Sequence, residues 1–112
     1  MATAWISKQD LAGSTPANLT EDDMFIAGCL AAASDGDISA YYDLGVAFST
    51  GSHGTICDLI EAHKWFNLAA TKGHEAAAWC RADISDEMTA REVAEAQRRA
   101  REWISQTTRR AA

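Results

Sequence analysis

Proline occurs once in this chain of 112 residues, at Pro16. Proline breaks helix interiors and punctuates turns, so everything after residue 16 lacks the strongest helix breaker. Runs of alternating apolar and polar residues are missing, and β-branched residues do not cluster, which removes the sequence basis for strands. No stretch approaches the ~20 apolar residues of a bilayer span. The amino terminus shows no basic region followed by an apolar core of ~7–15 residues, so a secretory signal is not expected. There is no phosphate-cradling glycine loop, no zincin-like helix and no nucleophile elbow. Cys29, Cys57 and Cys80 make an odd count that cannot all pair within one chain. Reduced thiols and a cytoplasmic location are the simplest expectation.

The charge is lopsided. Residues 1–86 hold 4 basic and 12 acidic side chains, whereas residues 87–112 hold 6 and 4. An acidic body disfavours nucleic acid and anionic membrane as partners. The basic groups Arg98, Arg99, Arg101, Arg109 and Arg110 sit late in a predicted helix, where cations offset the negative end of the dipole, so a solvated face explains them.

What the chain does contain is concentrated in residues 62–78, which read as a helix, a glycine stop and the start of another helix. Ala62, Trp65, Phe66, Ala69 and Ala70 recur at the three-and-four spacing of one helical stripe, and Gly73 stands where a left-handed residue ends a helix. Small residues let a neighbouring backbone approach while the rings fill the space between crossing points. The same punctuation occurs at Ala32-Ala33-Ser34-Asp35-Gly36, 37 positions upstream. A period of that size signals stacked helical hairpins. Ala40 aligns with Ala77 and Tyr42 with Trp79, but Leu44 and Gly45 become Arg81 and Ala82, so the second copy is degenerate, as a terminal repeat would be.

Over residues 37–78 the chain resembles the Sel-one-like repeats, relatives of the tetratricopeptide repeats. The resemblance is carried by Ala40, Leu44-Gly45, Phe48, Gly51 and Gly54, Asp58, Ala62, Trp65, Ala69-Ala70 and Gly73. The loop departs from the family pattern, because Gly51-Ser52-His53-Gly54 is one residue longer and Thr55 replaces a valine. The segment from Met88 through Trp103 is similar to the closing helix of bacterial members. The resemblance implies an all-α fold, a short α/α solenoid of helical hairpin repeats with a C-terminal capping helix. It also implies a non-enzymatic adaptor that binds protein segments, without cofactor or metal.

Boundaries follow from capping chemistry. Residues 1–18 read as a loose arm on which Trp5 and Ile6 are the candidates for docking, and residues 19–112 as one domain. Its parts are a repeat core at 37–73, a degenerate second repeat at 74–86 and a closing helix at 89–106. Thr20 with Asp23, Asp37, Asp58, and Thr89 with Glu92 are the expected helix starts. The inward stripe of the closing helix is expected to be Val93, Ala96, Ala100, Trp103 and Ile104. At this length about two thirds of the unfolded chain's surface is buried on folding.

Candidates for chemistry have plainer readings. His53, Cys57 and Glu61 include donors suited to zinc, but without paired cysteines a loop histidine and a buried thiol account for them. His63 and His74 near Glu75 suggest proton transfer, yet Lys64 and Lys72 between them point to an ordinary exposed face. A partner surface is the better prospect. Tyr42 and Trp79, with Asp43 and Asp83 beside them, align along one side of the stacked repeats. Aromatic residues beside acids suit a protein or peptide segment carrying an apolar anchor and a lysine or arginine, and the plainer reading is that Tyr42 and Trp79 pack between adjacent helices. The alternatives are a homo-oligomeric structural unit, in which self-association covers the open ends, and a small enzyme or metal-binding protein using His53, Cys57 or His63.

Overall fold

The computed structural model describes residues 20–111, with side chains to Arg109. The expected arm at 1–18, with Trp5 and Ile6, and the Arg110 side chain lie outside the described residues. Five helices follow one another: α1 (Glu21–Ser34), α2 (Ile38–Thr50), α3 (Leu59–Thr71), α4 (Glu75–Ser85) and α5 (Ala90–Ala111), with no strand among the described residues.

Each helix starts where a polar side chain satisfies the free amides of its first turn. Thr20 and Asp23 form a reciprocal capping box, both bonds at 3.1 Å. Thr89 and Glu92 form another, in which the Thr89 amide donates to Glu92 Oε1 at 2.8 Å. Asp37 accepts from the Ala40 amide, and Asp58 from those of Ile60 and Glu61. His74 caps α4 with its ring, Nδ1 accepting from the Ala77 amide at 3.1 Å. That bond leaves the imidazole proton on Nε2.

The two glycine stops 37 positions apart build the same termination. Gly36 donates to Ala33 O and Asp37 to Ala32 O, while Gly73 donates to Ala70 O and His74 to Ala69 O, at 2.9–3.1 Å throughout. This is the Schellman pattern, and it requires the left-handed φ of 88° and 96° that the glycines supply.

Packing centres on α3, which contacts α2, α4 and α5, while α1 packs on α2. Trp65, Phe66 and Leu44 are the largest fully buried side chains. Around them lie small residues, among them Ala33, Ala40, Ala47, Ala62, Ala69 and Ala100, which set the close approach. Trp65 stacks on Tyr41 with centroids 6.0 Å apart and meets the edge of Trp103 at 4.8 Å. Lys64 lays its Nζ 4.2 Å over the Trp65 ring. Gly45 is the tightest point, since a β-carbon there would lie 2.5 Å from the Phe66 ring.

Helix α5 is tied to α3 by Arg99, which bonds Glu61 at 2.7 Å and Glu95 at 2.8 Å. Hydrogen bonds from Arg98 and Arg99 hold the Glu95 carboxyl down to about 2. Two expectations for α5 need correction. It runs past Gln106 to Ala111, because no glycine or proline follows Trp103 to stop it. Ile104, expected inward, is 49 % exposed, since α3 covers a stripe that takes in Ala96 and Ala100 but not the flank beyond.

Candidate interaction surface

The four partner-binding candidates differ in exposure and in the concavities they border. Tyr42 is half-buried, its ring stacked on His74 at 4.5 Å and tilted against Phe66 at 5.8 Å. Burial first, and then the neighbouring Cys80 thiol, push its phenol pKa up. Trp79 lies 75 % exposed. In a helix a step of two residues turns about 200°, so Trp79 faces away from the side on which Ala77 is buried against α3.

The two acids serve different concavities. Asp83 borders a cavity of about 270 Å³ between α2 and α4, lined by Val46, Phe66, Cys80 and Ile84, with Ser49 and Thr50 at its edge. Asp43 borders a groove between α1 and α2, together with Asp37, Met24 and Gly28. Neither Asp43 nor Asp83 has an ion-pair partner among the described residues. Each flank of α2 thus presents apolar surface beside a free carboxylate. The roles of Val46 and Ile84 as cavity walls escaped the sequence reading. Val46 lies on the flank of α2 that the inward stripe leaves free, and Ile84 falls seven residues after the buried Ala77, on the same face of α4.

The candidates for chemistry are dispersed. His53 stacks on Phe25 at 3.9 Å and places Nδ1 3.5 Å from Asp22. Glu61 belongs to Arg99 and Lys64. Cys57 directs its thiol to Ser49 O and is exposed, correcting the expected buried thiol: it lies on the loop before α3, outside the core. His63 needs the opposite correction. It is 2 % exposed and sits in the core, because α3 is covered by three helices and its buried face is wider than one stripe. Its Nδ1 has no hydrogen-bond partner among the described residues. Burial, with Arg81 second, pushes its pKa below the ordinary histidine range. The unfolded chain therefore takes up a proton that the native state resists, and His63 lowers stability as pH falls through that range.

The thiols differ enough in exposure to be told apart in solution. All three are free. A thiol-reactive chromophore is expected to modify Cys57 first, Cys80 more slowly, and Cys29 only on unfolding, since Cys29 is 8 % exposed. Burial, and then Asp43 and Asp37, also raise the Cys29 pKa, leaving less reactive thiolate. Mass spectrometry of partly modified protein checks the order, and a buried Cys29 that reacted first would contradict the packing of α1 on α2.

No helix of the described residues is long and apolar enough to cross a membrane. Comparison of the chain with protein-family models, with curated proteins and with solved structures gave no match.

Proposed function

We propose that this chain is a non-enzymatic interaction module, a short α/α solenoid of the Sel-one-like type working in a bacterial cytoplasm, that captures a protein segment bearing an apolar anchor and a basic side chain. The observation that carries the reading is the α2/α4 cavity. Its floor and walls are apolar, its volume of about 270 Å³ suits one large side chain, and Asp83, without an ion-pair partner among the described residues, stands at its border. A lysine or arginine next to the anchor would meet Asp83, while Asp43 borders the separate α1/α2 groove. Trp79 extends the apolar contact outside the cavity. The repeated glycine termination and the alternation of alanine with aromatic rings support the solenoid part of the reading.

The test starts from material captured by the immobilised chain from its native host, followed by titration of the recovered segment. Asp83→Lys is expected to weaken binding about tenfold at low salt, the defect shrinking as salt is raised. Trp79→Ala is expected to cost about 1–4 kcal/mol of binding with the melting temperature unchanged. Wild-type affinity in both variants would remove this surface from consideration.

A second reading, the homo-oligomeric structural unit, draws on α1. Its Met24 is 45 % and its Leu30 39 % exposed, so the helix keeps apolar side chains in water. Light scattering across a concentration series separates the two readings, because only the structural unit gains mass.

A further inference from the structure

A separate groove of about 640 Å³ opens where the loop between α2 and α3 faces the turn between α4 and α5. Phe48, Leu59 and Ile60 give it an apolar floor, and Ile56 stands at its side 84 % exposed. An isoleucine so far into water gains on being covered. Asp58, Glu87 and Glu92 also line the groove, and among the described residues no lysine or arginine does. Two helix N-termini abut this site, those of α3 and α5, and their partial positive charge would favour an anion. Both are already answered by carboxylates, Asp58 on the Ile60 and Glu61 amides and Glu92 on the Thr89 amide. Glu87 is exposed and adds a third carboxylate, so the groove as a whole is negative.

We propose that this groove is a second docking site, for a partner segment that lays an aliphatic side chain against Ile56, Leu59 and Phe48 and sets a lysine or arginine against Glu87. It shares no lining residue with the α2/α4 cavity, and it stands or falls independently of that site. Its charge and its apolar floor select the occupant together: an acidic segment is repelled, and a basic segment without an anchor leaves Ile56 in water. With two such sites, one small chain can hold two segments at once.

Each concavity contains one free thiol, Cys57 in the groove and Cys80 in the cavity, so occupancy can be read separately at each. The probe is a synthetic peptide of alternating leucine and lysine, saturating by fluorescence anisotropy, added to the full chain before a short pulse of iodoacetamide. Mass spectrometry then gives the modification rate of each cysteine. Docking in the groove is expected to slow Cys57 at least tenfold, and Ile56→Asp combined with Glu87→Lys is expected to abolish that protection. Both positions are exposed, and an unchanged thermal melt verifies that the variant is folded. Protection of Cys80 reports on the α2/α4 cavity alone. A peptide that fails to bind, or that saturates while Cys57 reacts at its free rate, overturns the groove. Equal protection by a leucine and glutamate peptide overturns the charge selection. A tenfold rise in Cys57 reactivity on deleting residues 2–18, without any peptide, would make the chain's own leader the occupant and overturn the commitment to an external partner.

Discussion

Trp65→Ala is expected to lose about 3–5 kcal/mol of stability, a large part of the ~5–15 kcal/mol that holds a domain folded. Trp65 is 1 % exposed and lies where α2, α3 and α5 meet, between the Tyr41 ring and the edge of Trp103. Truncation removes the indole and leaves a hole lined by groups from three helices, which cannot collapse from all sides together. Urea titration followed by far-UV circular dichroism should show the midpoint fall by about 1–5 M, given a slope of ~1–3 kcal/mol per molar. Trp65→Phe should recover most of the loss. The Trp65 Nε1 has no hydrogen-bond partner among the described residues, so removing that donor sacrifices no bond there. A loss below ~1 kcal/mol for the alanine variant would mean that the three helices do not depend on this side chain.

Gly45→Ala is expected to destabilise by about 1–3 kcal/mol, even though alanine favours helix over glycine by up to ~1 kcal/mol. The added carbon would lie 2.5 Å from one atom of the Phe66 ring and 2.6 Å from the next. Phe66 is 1 % exposed and cannot swing into solvent, so α2 and α3 must separate. At ~4–8 °C per kcal/mol, a thermal melt should drop by roughly 10 °C for a loss near 2 kcal/mol. Gly45→Leu should unfold the chain further. Combining Gly45→Ala with Phe66→Leu supplies the space that is missing, so the double variant should lose less than the sum of the two single changes. Strict additivity would show that the clash is relieved elsewhere.

Much of the fold was legible because caps are local. Thr20 with Asp23, Asp37, Asp58 and Thr89 with Glu92 each act within three residues, and each starts its helix where the sequence placed it. Of the stripe Ala62, Trp65, Phe66, Ala69 and Ala70, the first four are buried and Ala70 is half-buried, since periodicity fixes a face but not its margin. What escaped depends on how many neighbours a helix has. His63 looked exposed beside Lys64, but α3 is enclosed on three sides, and Lys64 itself folds back over Trp65. Ile104 fitted a regular stripe on α5, but that helix meets α3 along a narrower contact. Tyr42 and Trp79 occupy equivalent places in the aligned copies yet differ in surroundings, because Tyr42 has α3 and the His74 cap against it. The edge groove was invisible because it joins residues 48–60 to Glu87 and Glu92, which nothing in the local pattern connects.

The edge-on meeting of Trp65 and Trp103 also sets a timetable for biosynthesis. The chain is made from its amino terminus, so Trp65 and the flank of α3 around it emerge well before the helix that covers them. Trp103 follows by about 40 residues, a delay of roughly 2–8 s at ~5–20 residues per second. During that interval the Trp65 ring lacks the partner that meets its edge, although Tyr41 of α2 has already been made. The translating ribosome and its attendant chaperones therefore meet an indole whose edge contact is supplied only by α5.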